Sequence, residues 1–366
     1  MKGKFKKMQM SLKLKLIITA MVVLTNSCGG SRENDPVEPT QASLQKSLQQ
    51  VVDERIVPAA VNFKSAADSY MESADTFCAL QDESALQQLQ QQWRQLNEQW
   101  YRLVPYNFGP LKNDVVFPNY MFIDGYRLRG TNYSATVQEE IARVLAQTEA
   151  LPEHYFENLS FQKGGLLALE ILSFVAADGV QSDQEILFSY FMSSKRCELL
   201  IGHAQQMQAR AESLVQGWLT DFNSGSTSYR QLFLNDKLPD DTPSLTQLLT
   251  AVQEYLDYLK QRNVVTTVAK FSNYSWPLVA ASLQEIHTLL HGNGKDQFNF
   301  VAVMRSSGHE QEAATVTENT AFILASIEQK NASEFAVGVS LLDGNFKREI
   351  PNGLDVDLGI TFTDGD

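Results

Sequence analysis

The stretch that most constrains the fold of this chain is Lys163–Phe174, KGGLLALEILSF, in which one carboxylate lies among apolar residues. In a helix with 100° per residue, the residues that share a face with Glu170 are mostly apolar: Leu166, Leu167, Ser173 and Phe174. A helix that is apolar almost all round is a buried helix, so we expect Glu170 to be desolvated. An ionised carboxylate in such a place needs a cation, a metal ion or several N–H donors.

The residues just before this helix also carry information. Gly164 and Gly165 lack side chains, which allows another backbone to approach the start of the helix closely. Lys163 lies two turns back from Glu170 on the same side. Glu170 is therefore a candidate ligand-binding residue. The alternative is a core helix whose glutamate pairs with one Arg or Lys, because structural ion pairs also perturb carboxylates.

Residues 1–28 have the pattern of a secretion signal. Six lysines without an acid precede the apolar run Leu16–Leu24, which is too short to span a bilayer. The run ends in LTNSC, which resembles the lipobox of bacterial lipoproteins, where the final cysteine, here Cys28, is lipidated. The alternative is an ordinary secretory signal with an incidental cysteine. Residues 29–40 then form a polar, flexible tether.

The charge of the chain limits the classes of partner that it can bind. The full chain has 30 Lys and Arg against 43 Asp and Glu. Without the six signal lysines, 24 basic residues remain against 43 acidic ones, a net charge of −19. Because phosphate contacts need clustered Lys and Arg, nucleic acid is excluded as a main partner, and so is an anionic lipid surface. Such a charge favours solubility and the attraction of cations.

The body of the chain has helical periodicity. After Asp82, a residue that can cap a helix, Leu and Trp recur three and four residues apart between Leu86 and Leu103, which predicts a bundle core. The polar segment Asn223–Ser228 is the best domain linker. We therefore expect an N-terminal helical bundle over residues 41–223 and a C-terminal one over 229–366. The last residues, Ser333–Asp366, change composition and predict a short hairpin or extended segment.

Two cysteines remain besides Cys28, namely Cys78 and Cys197. Both lie in helical patterns, in a chain that we expect outside the cytoplasm, where disulfides persist. A bridge between two packed helices is one expectation for this pair, and two buried free thiols are the other.

Three stretches together resemble the imelysin family. Trp93, Trp100 and the turn Phe108-Gly109-Pro110 are similar to that family's tryptophan-rich helix and GP turn. The helix that contains Gly165 and Glu170 aligns with its GxHxxE motif. The terminus LGITFTDGD, residues 358–366, is similar to its closing "GF…DGD" pattern. The three stretches occur in the family's order.

The resemblance implies an all-α architecture of two helical bundles that are packed together and related by approximate internal duplication. It also implies a cell-envelope location and, for many members, an association with iron acquisition. Some members have been described as metallopeptidases, in which the His and Glu of GxHxxE act on a metal ion.

The chain departs from that motif at its histidine, where Leu167 stands. A hydrolytic zinc site needs three protein ligands and an open position for water, and a leucine supplies none. His287 and His291 have the i, i+4 spacing that can present two rings to one ion, but they lack the HExxH glutamate. Their other interpretation is two surface histidines at the end of a helix. We therefore lean against peptidase activity.

The remaining candidate site combines residues that are distant in sequence. If the C-terminal tail folds back, Asp364 and Asp366 could converge with Glu170 beside Gly165 and the loop bases Arg127 and Arg129. Carboxylates suit hard cations such as ferric iron or calcium better than zinc. A buried ion-pair cluster that fixes the two bundles is the structural alternative.

Three functional hypotheses follow. The preferred one is a non-catalytic envelope protein, anchored by lipid on Cys28 at the periplasmic face of the outer membrane. It would bind a metal, such as iron or another divalent or trivalent cation, or a small ligand, and take part in iron uptake. The others are a metallopeptidase of the imelysin type and a helical scaffold that binds other envelope proteins.

Overall fold

Helices form the regular structure throughout the described chain. The computed structural model describes residues 41–113, 117–126, 132–294 and 299–358, with side chains from residue 44 onward. These residues contain no strand, which confirms the predicted all-α fold class.

The helices are numbered in chain order. The first eight are α1 Gln41–Val51, α2 Val57–Leu80, α3 Glu83–Leu103, α4 Asn119–Asp124, α5 Ser134–Leu145, α6 Gly165–Phe174, α7 Asp183–Met192 and α8 Ser194–Leu219. The next eight are α9 Tyr229–Leu234, α10 Ser244–Gln261, α11 Val264–Thr267, α12 Ser275–His291, α13 Phe300–Ser306, α14 Glu310–Glu328, α15 Ala332–Lys347 and α16 Glu349–Leu354.

Helix α3 is the centre of a first group of helices. Asp82 caps it by accepting a hydrogen bond from the N–H of Ala85 at 2.8 Å. All the Leu and Trp residues of its predicted seam are fully buried: Leu86, Leu89, Trp93, Leu96, Trp100 and Leu103. Helix α2 packs along both α3 and α8, and Phe63 of α2 contacts Trp100 with ring centroids 5.3 Å apart. The residues that are spaced three and four apart in the sequence therefore form the buried seam of this group of helices.

A second group consists of α10, α12, α14 and α15, which pack on one another. Helix α12 also packs against α3 of the first group. At this contact Tyr106, in the turn after α3, donates a hydrogen bond of 2.7 Å to Glu285 of α12. Both residues are buried, so the junction between the groups contains a paired carboxylate.

The predicted linker, Asn223–Ser228, is a short turn between helices that remain in contact. The N–H of Phe222 donates to the carbonyl of Thr227, and Tyr229 of α9 packs on Trp218 of α8 with ring centroids 5.2 Å apart. The described residues, which lie between 41 and 358, belong to one compact unit. The division into bundles at this turn stays a prediction.

The expectation of a hairpin or extended segment over residues 333–366 is wrong for most of that range. Helix α15 runs to Lys347 and α16 from Glu349 to Leu354, so the described residues of this range that lack helical structure are Arg348 and Asp355–Leu358. The helical pattern was hidden by Gly338, Gly344 and Gly353, which disfavour a helix on propensity. Gly338 meets Ile323 of α14, since a Cβ there would lie 2.9 Å from the Ile323 Cβ. Tight helix packing therefore explains at least this glycine.

None of the helices in the described part of the chain has the length and apolar character needed to cross a bilayer. The predicted signal, Cys28 and the tether 29–40 lie outside the described residues.

A covalent bond joins α2 to α8. Cys78, near the end of α2, and Cys197, in the first turns of α8, form a disulfide with their Cα atoms 5.6 Å apart. This is the first of the two states expected for these cysteines. The bond closes a loop with a sequence separation of 119, which contains α3 to α7.

We predict that replacing Cys78 and Cys197 with serine lowers the free energy of unfolding by about 2–5 kcal/mol, because an open loop of this size gives the unfolded chain more conformations. Urea unfolding of the wild type and of the double variant measures the difference. Dithiothreitol should destabilise the wild type and leave the variant unchanged. Non-reducing peptide mapping that finds Cys78 and Cys197 in separate peptides would contradict the bond.

Candidate functional site

Helix α6, the centre of the sequence analysis, is buried from Leu166 to Phe174. Neighbouring helices bind its carbonyl groups through side chains. The indole of Trp93 in α3 donates to the carbonyl of Leu166 at 3.2 Å, and the hydroxyl of Tyr190 in α7 donates to that of Leu172 at 2.8 Å. These bonds fix the position of the helix along its axis, so the side chains of its motif have defined neighbours.

The glycines at the start of α6 allow the end of α4 to approach it. Gly165 has φ +72°, and a Cβ there would lie 2.7 Å from the carbonyl oxygen of Ile123. Gly125, at the end of α4, lies on the other side of this contact between α4 and α6. It has φ +69°, and a Cβ there would lie 3.0 Å from the Leu167 Cβ. Both positions need the left-handed conformation and the absent side chain. Gly165 therefore has a packing role.

Glu170 is fully buried and accepts four hydrogen bonds. Its Oε1 accepts from the N–H of Phe271 at 3.0 Å and from the N–H and hydroxyl of Ser272, both at 2.9 Å. Its Oε2 accepts from the hydroxyl of Tyr126 at 2.7 Å. One side chain thus links α6 to the segment after α4 and to the loop between α11 and α12.

The structure shows which of the expected kinds of partner Glu170 has. None of the basic side chains that the structure describes forms an ion pair with it, and the interactions that act on its charge are hydrogen bonds. Lys163 instead pairs with Glu140 of α5 at 2.9 Å. The expectation of a pairing with one Arg or Lys is therefore wrong for the described residues. Backbone N–H groups and hydroxyl groups are the partners of Glu170 instead.

Burial decides how this carboxyl titrates. Desolvation raises the pKa of Glu170 above its ordinary value, and the hydrogen bonds from Ser272, Tyr126 and Phe271 oppose that effect. Burial and the neighbouring Glu170 charge raise the pKa of Tyr126 well above its ordinary value, so the phenol keeps its proton and remains a donor.

The other members of the expected cation site cannot be placed beside Glu170. Arg127, Arg129, Asp364 and Asp366 lie outside the described residues. Within the described ranges, no three His, Cys, Asp or Glu side chains lie close enough to hold a metal ion. Leu167 is buried and cannot bind a metal, and both oxygens of Glu170 are already acceptors. The described residues at the motif therefore do not fit the family's metal ion.

His287 and His291 of α12 stack on each other. Their ring centroids lie 4.7 Å apart with planes 30° apart. Burial lowers the pKa of His287, and burial together with the neighbouring His287 and Arg305 lowers the pKa of His291 to about 4. Both rings are partly buried rather than freely exposed.

A cavity of about 250 Å³ lies next to the motif. Leu167, at the position of the family's histidine, forms part of its wall, and so does Tyr126, whose hydroxyl binds Glu170. The other lining residues come from the end of α4 and from the segments around α5, α10 and α11: Gly125, Asn132, Tyr133, Tyr258, Gln261, Arg262, Asn263 and Thr267. Among the described residues, the lining contains no carboxylate and no histidine, but it contains the guanidinium of Arg262 and several hydroxyl and amide groups.

Sequence reasoning missed the partners of Glu170. Tyr126 lies in an aromatic stretch after α4 that could have indicated a site. Phe271 and Ser272 act mainly through backbone N–H groups, for which no residue type in the sequence is a signal.

Comparison with known proteins shows the family to which the chain belongs. The family model described as Imelysin (Peptidase_M75) matches residues 56–337. No curated protein matches the chain significantly in sequence. An Imelysin-like protein of Psychrobacter arcticum has a similar structure, with 15% identity, a TM-score of 0.67 and coverage of 89% of this chain and 99% of its own. A proposed iron-regulated protein A precursor of Parabacteroides distasonis shares 14% identity, with a TM-score of 0.63 and coverage of 88% and 99%.

We predict that two replacements of Glu170 lower the stability by different amounts. Glu170→Ala leaves the donors of Tyr126, Phe271 and Ser272 buried without an acceptor, which should lower the free energy of unfolding by about 3 kcal/mol or more. Glu170→Gln keeps an acceptor for the two N–H groups and presents an amide to Tyr126, so it should cost about 1 kcal/mol or less. Urea unfolding at constant pH compares the two. Equal losses would contradict the role of the hydrogen bonds.

The pH dependence of stability gives a second test of this residue. A carboxyl whose folded pKa is raised stabilises the fold fully below its unfolded pKa, and this stability is lost as the pH rises through the folded pKa. The wild type should therefore lose stability relative to Glu170→Gln as the pH rises above the ordinary range of glutamate. Parallel curves for the two proteins would show that Glu170 does not titrate in this way.

Proposed function

Because the chain belongs to the Imelysin family, we propose that it is a non-catalytic protein of the bacterial cell envelope that binds a small ligand and has an iron-related role. The observation that carries this proposal is the cavity beside Leu167. Leu167 is the residue at the position of the motif histidine. A wall of Tyr, Asn, Gln and Thr side chains can orient a polar ligand by hydrogen bonds. The name of the Parabacteroides distasonis protein supports the link with iron.

The lining of the cavity favours a molecule over a bare ion. Hard cations prefer several oxygen ligands that include carboxylates, and the lining residues that the structure describes include no carboxylate. Arg262 offers a guanidinium, which suits a carboxylate group on the ligand. Tyr126 keeps its proton and donates to Glu170, so it is no phenolate ligand. Iron would accordingly reach this site as a small anionic chelate.

The proposed location is the periplasmic face of the outer membrane, with a lipid on Cys28 and a tether over residues 29–40. The support is the basic n-region, the short apolar run and the lipobox-like LTNSC. Nucleic acid is no partner in this proposal because the mature chain is strongly acidic. Other envelope proteins are the partners to expect if no small ligand binds.

We predict that ferric citrate raises the melting temperature of the wild type, because a ligand that binds only the folded state stabilises it. Thr267→Trp should abolish the shift, since an indole from this exposed lining residue fills the cavity. Thr266→Trp is the matched control, because Thr266 is also exposed but is not part of the lining. Differential scanning fluorimetry with ferric citrate, free citrate, Fe(III), Zn(II) and Ca(II) measures the shifts.

The outcomes of that series are distinct. Equal shifts in all three proteins would place the ligand elsewhere, and the absence of any shift would favour the scaffold hypothesis. Chelator-sensitive hydrolysis of a peptide by the same preparation would favour the metallopeptidase instead.

The anchor has its own test. We predict that cells incorporate labelled palmitate into the wild type and that Cys28→Ser abolishes the label and moves the protein out of the membrane fraction. Cys78→Ser is the control and should remain labelled. An unlabelled wild type that is still cleaved and secreted would support an ordinary signal peptide.

A further inference from the structure

The most exposed apolar side chains of the described chain lie in two neighbouring helices. Among the large apolar side chains that the structure describes, the four with the highest exposed fractions are Phe191 (77%), Met192 (64%), Leu80 (60%) and Phe188 (58%). Leu80 is the last residue of α2, and the other three belong to α7. Since Phe191 and Met192 follow Phe188 by three and four residues, these three share one face of α7. We call the four residues the apolar patch.

The core of the first group of helices brings the ends of α2 and α7 together. The ring of Phe77, one turn before Leu80, packs edge-on against Tyr190 of α7, with ring centroids 4.7 Å apart. The disulfide between Cys78 and Cys197 joins the end of α2 to the first turns of α8, which begins two residues after the end of α7. The apolar patch therefore lies on a crosslinked part of the fold, and its side chains need no folding step to be presented together.

The surface segment that carries most of the patch has no charge. Residues 186–194, ILFSYFMSS, contain no Asp, Glu, Lys or Arg, although 20% of the chain is charged. The acids of α7, Asp183 and Glu185, lie in its first turn. Large apolar side chains on the outer face of a helix enter the boundary between the headgroups and the acyl chains of a bilayer. Because the nearest charges on α7 are acidic, the bilayer that fits this surface is zwitterionic rather than anionic.

The size of the patch favours a bilayer over a second copy of the chain. If each of these side chains presents about 200 Å² when it is fully free, the exposed fractions leave about 500 Å² for the four together. A stable protein–protein interface buries about 800 Å² on each partner, so the patch alone is too small for a stable dimer. Insertion into lipid needs no complementary protein surface, and a lipid on Cys28 would raise the effective concentration of the patch at the membrane.

We propose that the apolar patch inserts into a zwitterionic phospholipid bilayer. Phe188, Phe191 and Met192 enter the boundary between headgroups and acyl chains, and Leu80 joins them from the end of α2. The location at a membrane rests on the lipid proposed for Cys28. The affinity of the patch for lipid depends on the described residues alone, so it can be tested without the anchor.

The proposal also limits the orientation of the protein at the membrane. Helix α1, a π-helical turn at Val52–Ile56 and α2 follow one another without a break and together have a helical length of about 60 Å. A tether over residues 29–40 reaches at most about 40 Å. The patch lies at the end of α2, so it reaches the bilayer that holds Cys28 only when this helical stretch is tilted toward the membrane rather than upright.

The first test is photolabelling of the full-length lipidated protein in phosphatidylcholine vesicles, with a phosphatidylcholine that carries a diazirine in its acyl chain as the probe. We expect label in the peptide that contains Phe188–Met192 and none in the peptide around Phe322, an exposed apolar side chain of α14. The double variant Phe188→Ser/Phe191→Ser should lose at least about nine tenths of the α7 label. Phe322→Ser is the matched control and should keep it. A membrane-bound wild type without label in α7 would overturn the proposal.

The second test separates the patch from the anchor. The Cys28→Ser protein, recovered from the soluble fraction, is floated with phosphatidylcholine vesicles. We expect binding that Phe191→Ser weakens about tenfold in this background, because burial of one phenylalanine side chain changes an equilibrium by about that factor or more. Phe322→Ser should bind as the parent does. Flotation that persists although the wild type incorporates no palmitate would support the patch and reject the anchor, so the two proposals fail separately.

Two further results would overturn the proposal. The first is an equal loss of flotation in Phe191→Ser and Phe322→Ser. The second is a wild type that sediments as a dimer and that Phe191→Ser converts to a monomer, since the occupant of the patch would then be a second copy of the chain. Urea unfolding of each variant shows that it is folded, and we expect little change because the replaced side chains are exposed.

Discussion

The burial of one carboxylate determines much of this structure. Glu170 lies in a helix whose other residues are nearly all apolar, and water cannot solvate it there. The cost of leaving such a group unpaired is several kcal/mol, so the fold must bring donors to it. It brings them from Tyr126 after α4 and from Phe271 and Ser272 before α12. A single acceptor therefore joins α6 to the segment after α4 and to the loop that precedes α12 of the second group.

The packing around the motif shows which of its positions the architecture requires. Gly165 is needed for the close approach of α4, and Glu170 is needed as the acceptor just described. Neither requirement involves the residue at position 167, which only packs and forms part of a cavity wall. A leucine there satisfies the packing, and the cavity in front of it remains. Two of the three motif positions can thus be maintained by the fold alone.

Periodic features were predictable from the sequence, and single contacts were not. The seam from Leu86 to Leu103 and the burial of α6 follow from spacing and composition, which act over many residues. The donors to Glu170 include two backbone N–H groups about a hundred positions away in sequence, and no side-chain pattern marks them. Composition also gave a wrong prediction at the C-terminus. Gly338 has a low helix propensity, but it lies within α15, where the absence of a side chain allows close contact with Ile323.

The bond between Cys78 and Cys197 gives the chain an unequal response to mechanical force. Tension applied from the N-terminal side would pass along α2, through the sulfur atoms and directly into α8. The residues between the two cysteines carry none of that load while the bond is intact. They would add about 400 Å of contour length if they were released. Helix α6 lies inside this loop, so tension on the chain cannot extend it while the bond is intact, whereas the donors Phe271 and Ser272 of its carboxylate lie outside the loop.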